Sequence, residues 1–165
     1  MRLAALALLL SVDFAWADGA TADDKARIET CLSQNEFDPS ACFFAASDPC
    51  TEVEEQRAAN PLQAQQWCDH RENDVWQSLI EQSLTILRRE LSKDAINALE
   101  RQHNHWLAGK KLHCTFPYEF LKGTWVSSGA ARCHLKYVQE RAARLLVYMR
   151  YANHDMFVGQ TVEAE

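Results

Sequence analysis

The chain has 165 residues, a net charge of −6 and a hydrophobic content of 47%, which is enough for one domain with its own core. This composition excludes an intrinsically disordered chain. Its 23 acidic and 17 basic residues argue against a nucleic-acid-binding protein, which would need a cationic face to contact phosphates. Five glycines and four prolines are too few for the tight turns of a β-sandwich or barrel, so the composition favours helices.

The first 17 residues have the pattern of a secretory signal peptide. Arg2 precedes a short apolar run at residues 3–12, and the small-residue sequence A-W-A at 15–17 is a typical cleavage site. The run is too short to cross a bilayer with about 30 Å of hydrocarbon. We therefore predict a signal peptide at 1–17 and a mature protein that is periplasmic or secreted.

The mature part contains six cysteines, and none of them has the C-x-x-C spacing of a redox or zinc site. An even number of cysteines in an exported chain predicts three disulfides. Cys114 and Cys133 are separated from the other four by a long helical stretch, so we predict that they pair. For the other four we favour Cys31–Cys68 outside Cys42–Cys50. Cys31–Cys42 with Cys50–Cys68 is the alternative.

Helix-start signals divide the front of the mature chain, residues 18–60, into short helical pieces. Thr21 and Asp24 have the spacing of a capping box, which predicts a first helix. Asp-Pro pairs at 38–39 and 48–49 each place an acidic cap before a proline, which predicts two short helical turns.

Residues 61–152 are predicted to form the main helical domain. Asn60-Pro61 opens the longest helix, and Ser92 caps a second one that ends near Cys114. The apolar stripe of the longest helix consists of Trp76, Leu79, Ile80, Ser83, Leu84, Leu87 and Leu91. The inner face of the second consists of Ala95, Leu99, Trp106 and Leu107. These two helices are expected to form an antiparallel hairpin.

Helical periodicity is lost over residues 115–130, which predicts a loop closed by the Cys114–Cys133 disulfide. A final helix from about 130 to 152 follows, and residues 153–165 are predicted to be a flexible acidic tail. The stripe of the final helix consists of Leu135, Val138, Ala142, Leu145, Leu146 and Met149. The predicted fold class is therefore all-α: a small disulfide-stapled bundle built on an antiparallel helix hairpin plus a C-terminal helix.

Charge is distributed unevenly along the mature chain. Residues 18–87 carry 14 acidic and 4 basic side chains, a net charge of −10. Residues 88–165 carry 8 acidic and 12 basic side chains, a net charge of +4. The front half is therefore expected to attract cationic partners.

Three groups of residues carry a resemblance to a known family. The first is Cys68, Glu72, Trp76 and Ile80. The second is Trp106, Lys110 and Cys114. The third is Gly123, Gly129, Cys133, Val138 and Arg141. From about residue 65 to 150 the chain resembles the LprI-like lysozyme inhibitor family, small exported helical proteins of bacterial envelopes. The resemblance implies a non-enzymatic exported protein, without a cofactor, that binds and blocks lysozyme.

The predicted loop is the expected contact with such a target. Lysozymes are cationic glycosidases with paired carboxylates in their cleft, so Lys122 is placed to approach those carboxylates. Tyr118 and Trp125 are expected to cover sugar-binding surface, and Glu119 belongs to the same candidate target-binding loop.

Other functions remain as alternatives. One is a structural or accessory envelope protein that binds another exported protein. The other is a metal-binding module at His113 and His134, which the disulfide would bring together. We predict no catalytic residue, because no nucleophile has the required surroundings, and we expect Glu72 and Asp74 to be solvated carboxylates on a helix surface.

Overall fold

The computed structural model describes residues 19–57, 60–116, 121, 123 and 125–153. This part of the chain contains five α-helices and a 3₁₀ helix and no strand, which confirms the all-α prediction. The α-helices are α1 (Ala22–Gln34), α2 (Ser47–Glu55), α3 (Pro61–Glu90), α4 (Lys93–Thr115) and α5 (Trp125–Asn153). The 3₁₀ helix, Pro39–Cys42, lies between α1 and α2. The predicted signal peptide and the tail from 154 onward lie outside the described residues.

Most helices begin where their caps predict. The capping box of Thr21 and Asp24 starts α1, and the side chains of Asn60 and Ser92 cap α3 and α4. Two starts differ from the prediction. Helix α2 begins at Ser47, before the Asp-Pro pair, and its N-cap residue makes no side-chain cap hydrogen bond. Helix α5 begins at Trp125, before the predicted start at about residue 130, and includes Gly129, which a helix tolerates at a cost of about 1 kcal/mol.

Helices α3 and α5 form the centre of the bundle and run parallel. Asp69 pairs with Arg132, and Glu72 pairs with Gln139 farther along both helices. The apolar stripes predicted for these two helices meet in the core. The fully buried core side chains include Ile28, Trp76, Leu87, Leu135, Val138 and Leu145. Ile28 of α1 belongs to this core, so the front segment and the main helices share one hydrophobic interior.

Helix α4 runs antiparallel to α5 and lies at the edge of the bundle. The only buried residues among its 23 are Leu99 and Cys114, and Leu107, predicted to face inward, is exposed. The prediction fails there because α4 meets α5 through large rings, Trp106 stacked on Tyr137 with centroids 5.8 Å apart. Gly109 makes room for this contact, since a Cβ there would stand 2.8 Å from the Tyr137 hydroxyl.

Three disulfides tie these elements together. Cys114–Cys133 is confirmed, with its Cα atoms 5.6 Å apart. The favoured pairing of the other four is wrong, and the alternative is correct: Cys31 joins Cys42, and Cys50 joins Cys68. The short connection after α1 folds back so that the 3₁₀ helix reaches α1. Helix α2 lies antiparallel to the start of α3, which brings residue 50 opposite residue 68.

The carboxylate of Glu72 connects α2, α3 and α5. It is fully buried, so the expectation of a solvated surface carboxylate is wrong for this residue, whereas Asp74 is exposed. Its oxygens accept hydrogen bonds from the indole of Trp76 at 2.8 Å and the amide of Gln139 at 2.6 Å. They also accept from the backbone N–H groups of residues 46 and 47 at the start of α2. Glu72 therefore caps α2 from another helix.

Arg132 of α5 forms a second connection to α2. Its guanidinium donates to Asp69 at 2.8 Å and to Asp48 at 2.6 Å, and it stacks on the Phe44 ring at 3.5 Å. Burial raises the pKa of Asp69, although the hydrogen bond from Arg132 opposes that shift. Phe44 has a φ of 64°, a left-handed conformation that is costly for a bulky residue and that this stacking helps to hold.

We predict that Glu72→Ala lowers the free energy of unfolding by about 3 kcal/mol or more, because several buried donors lose their acceptor. Urea unfolding followed by circular dichroism measures this loss. Glu81→Ala on the exposed face of the same helix is the control and should change stability by less than about 0.5 kcal/mol. Equal losses in the two variants would contradict the role assigned to Glu72.

Candidate protein-binding surface

Four helix ends meet at one end of the bundle. They are the last turns of α2 and α4, residues 51–55 and 109–116, and the first two turns of α3 and α5, residues 61–68 and 125–132. The Cys50–Cys68 disulfide joins α2 to the second turn of α3, and the Cys114–Cys133 disulfide joins the last turn of α4 to α5, directly next to these segments. The Asp69–Arg132 ion pair lies beside them. We call these four segments the loop end.

Exposed apolar side chains are concentrated at the loop end. Six large exposed apolar side chains lie there. Four lie elsewhere in the described chain, namely Phe37, Ile86, Leu107 and Tyr151. The six are Val53, Leu62, Trp67, Leu112, Phe116 and Trp125. Scattered apolar residues are normal on a protein surface, but a concentration of them at one place is typical of an interaction site.

Of the four predicted target-binding residues, Trp125 is the one that lies among the described residues. It is the first residue of α5 and is 53% exposed. Its indole lies against Gly123, where a Cβ would stand 3.0 Å from two indole atoms and where φ is 132°. Glycine is therefore required beside this ring. Phe116, 62% exposed, follows the last helical residue of α4 at the other side of the same connection.

The other predicted target-binding residues, Tyr118, Glu119 and Lys122, lie outside the described residues. The connection that carries them is shorter than the predicted loop of residues 115–130, because residues 125–130 are helical. The Cys114–Cys133 disulfide consequently joins the last turn of α4 to the third turn of α5 and fixes the distance between the two ends of the connection.

Two partly buried basic groups lie beside this disulfide. Burial lowers the pKa of Lys110, whose ammonium lies 5.6 Å from the centroid of the Trp106 ring. Burial also lowers the pKa of His134, and the positive charges of Lys110 and His70 lower it further. No carboxylate of the described chain pairs with Lys110 or His134. A carboxylate on a bound partner would therefore meet no competing carboxylate here, and it would favour the protonated forms of both groups.

The sequence analysis proposes His113 with His134 as a possible metal site and uses Lys110 only for the family resemblance, without a binding role. The signal for Lys110 was its position one helical turn before Cys114, which places it beside the disulfide. His113 is exposed, and its ring lies 5.8 Å from that of Tyr137. Across the described ranges, no group of three histidine, cysteine, aspartate or glutamate side chains is arranged to hold a metal ion.

A further buried cation lies between α4 and α5. Arg141 donates to Gln102 at 2.8 Å, whereas its Nε and Nη2 atoms have no hydrogen-bond partner in the described part of the chain. Burial lowers the pKa of Arg141. Burial, followed by the charge of Arg141, also lowers the pKa of His103, which stacks on Trp106. This interface therefore disfavours additional positive charge.

We predict that the protein loses stability as the pH falls from about 7.5 to about 5.5. His103 and His134 have folded-state pKa values below the ordinary value of 6.5, so the unfolded chain binds protons first. The contribution of these two histidines to stability is complete above pH 6.5. It is lost as the pH falls from 6.5 through their lowered folded-state pKa values.

Urea unfolding at several pH values measures the effect. The double variant His103→Gln/His134→Gln should flatten the pH dependence, whereas His105→Gln, at an exposed position on α4, should leave it unchanged. An unaltered slope in the double variant would show that other groups cause the pH dependence.

Among the described residues, no helix combines the length and the apolar character needed to cross a membrane. The family model described as "Lysozyme inhibitor LprI" matches residues 47–145 of the chain. The matched region begins at the first residue of α2 and contains both disulfides of the loop end. Comparison with curated proteins and with solved structures found no match.

Proposed function

The chain belongs to the LprI lysozyme inhibitor family, and from this membership and the loop end we propose that the protein is an exported, non-catalytic inhibitor of a lysozyme. Three disulfides suit an oxidising compartment such as the periplasm or the exterior of the cell. Inhibition by occlusion requires a stable contact surface and no reacting group.

The concentration of exposed apolar side chains at the loop end carries this proposal. Trp125, Phe116 and Leu112 stand at the two sides of a connection that a disulfide closes. Aromatic residues of this kind contribute strongly to protein interfaces when they enter a pocket on the partner. A connection restrained by a covalent bond also loses little conformational entropy on binding.

The cleft of a lysozyme offers matching chemistry. Glycosidases of this kind carry two carboxylates across the scissile bond. We propose that Trp125 and Tyr118 cover the sugar-binding surface and that Lys122 approaches the carboxylates. Lys110 and His134 are two further basic groups beside the same disulfide. Contact with a carboxylate would stabilise their protonated forms, which burial disfavours in the free protein.

An inhibition titration tests the proposal directly. The purified mature protein is added to c-type, g-type and i-type lysozymes acting on bacterial cell walls. We expect loss of activity for at least one type at micromolar protein. Full activity of all three types would reject the lysozyme-inhibitor function, and a pull-down that recovers a different exported protein would favour an accessory envelope role.

We predict that Lys122→Ala/Trp125→Ala weakens inhibition by at least about a hundredfold, because an aromatic anchor and a charge are lost together. The matched control is Lys93→Ala/Tyr151→Ala, which removes the same kinds of side chain at the opposite end of the bundle. Trp125 and Tyr151 are similarly exposed and lie 26 residues apart on α5, about 39 Å along the helix. Similar inhibition constants for the two double variants would exclude the loop end as the contact.

We predict that Cys114→Ser/Cys133→Ser lowers stability by about 3 kcal/mol and weakens inhibition, because the connection between α4 and α5 is no longer restrained. Thermal unfolding and the inhibition titration measure the two effects. The control Cys31→Ser/Cys42→Ser removes a disulfide away from the loop end and should lower stability without weakening inhibition by the folded protein. Unchanged inhibition in the first variant would mean that preorganisation of this connection has no role.

A further inference from the structure

A groove of about 760 Å³ lies between α1 and α3, outside the loop end. Its base includes the small or apolar side chains of Ala20, Val75 and Leu79. Gln77, Ser78 and Gln82 add neutral polar groups along α3. The groove therefore offers an apolar surface and hydrogen-bonding groups in one concave site.

The rim of this groove is negatively charged. Glu29, Asp74 and Glu81 line it, and Lys25 is the one basic residue among its described lining residues. Lys25 lies 3.6 Å from Glu29 and offsets that charge. Asp74 and Glu81 are exposed and form no ion pair within the described chain. Two uncompensated carboxylates therefore face whatever enters the groove.

The spacing of these two carboxylates restricts the partner. Asp74 and Glu81 are seven residues apart on α3, which places them on one face of the helix about 10.5 Å apart along its axis. Two basic residues separated by two turns of a helix have the same spacing.

We propose that the groove is a second contact site for the lysozyme, in addition to the loop end, and that it binds a basic surface segment with two lysine or arginine side chains about 10 Å apart. This inference rests on the proposed function, since lysozymes are cationic. The partner's ammonium or guanidinium groups pair with Asp74 and Glu81, and its aliphatic side-chain carbons lie over Val75 and Leu79.

One target can contact both sites. Asp74 lies seven residues from the exposed Trp67 of the loop end, which places the two on one face of α3 about 10.5 Å apart along its axis. A standard protein interface covers about 800 Å² on each partner, which spans this distance. The groove carboxylates are partly solvated, so their effect should appear mainly in the association rate and should weaken with salt.

The test compares two variants that each remove two negative charges. Asp74→Asn/Glu81→Gln alters the groove, and Glu90→Gln/Glu140→Gln removes two exposed charges that do not line it. Binding of a c-type lysozyme to each immobilised variant is measured at about 50 mM and about 300 mM salt. Thermal unfolding confirms that both variants fold as the wild type does.

We expect the groove variant to bind about tenfold more weakly at low salt, mainly through slower association, with a much smaller difference at high salt. The control should lose no more than about twofold. Equal losses would overturn the proposal, because the groove carboxylates would then act only through net charge. No loss in either variant would overturn it as well.

A peptide separates this proposal from the function on which it rests. If the wild-type protein binds no lysozyme, the proposed function fails. The groove is then tested with a helical peptide that carries two arginines seven residues apart. Binding to the wild type that is lost in Asp74→Asn/Glu81→Gln would support a basic-segment site, and absence of binding to the wild type would overturn it.

Discussion

The structure depends on a buried carboxylate, that of Glu72. Burying a carboxylate is costly unless its oxygens are fully hydrogen-bonded. Here the indole of Trp76, the amide of Gln139 and two backbone N–H groups at the start of α2 surround it. These donors come from three helices. The positions of α2, α3 and α5 are therefore coupled through one side chain, and a shift of any of them leaves buried polar groups unpaired.

The helix packing around Glu72 also determines the arrangement of the loop end. Because Glu72 caps α2, that helix lies antiparallel to the start of α3, where the Cys50–Cys68 disulfide forms. Arg132 reinforces the same arrangement from α5. Helix α4 has few buried residues and is held by the Arg88–Glu100 ion pair, by the stacking of Trp106 on Tyr137 and by the Cys114–Cys133 disulfide. The loop end thus combines a rigid centre with a covalently attached edge helix, which suits a surface that binds without reacting.

Local sequence signals predicted the helices well and the long-range contacts less well. The caps at Thr21, Asn60 and Ser92 and the apolar stripes of α3 and α5 depend on neighbouring residues, so they are visible in the chain. The pairing of the first four cysteines depends on how α2 lies on α3, which no local spacing reveals. Glu72 was misjudged for the same reason, since its partners at residues 46, 47 and 139 are distant in sequence.

The sequence indicated the segment that carries the candidate site, but not how much of that segment is helical. The disulfide and the aromatic residues beside it indicated the loop end, and Trp125 is exposed as an interface anchor should be. The helical start at Trp125 was missed because glycine and serine residues near 127–129 resemble a loop. The groove between α1 and α3 could not be predicted, because its lining comes from two segments that are distant in sequence. Without the position of α1, Asp74 and Glu81 cannot be distinguished from other surface charges.

The central claim is that a lysozyme binds to the loop end of a preformed bundle. Hydrogen–deuterium exchange of the protein, free and saturated with an inhibited lysozyme, measures the contact region without any substitution. The account predicts slower exchange at the end of α4 and the start of α5, with no change around Phe37 and Tyr151. Protection confined to that opposite region, or no protection at the loop end, would contradict it.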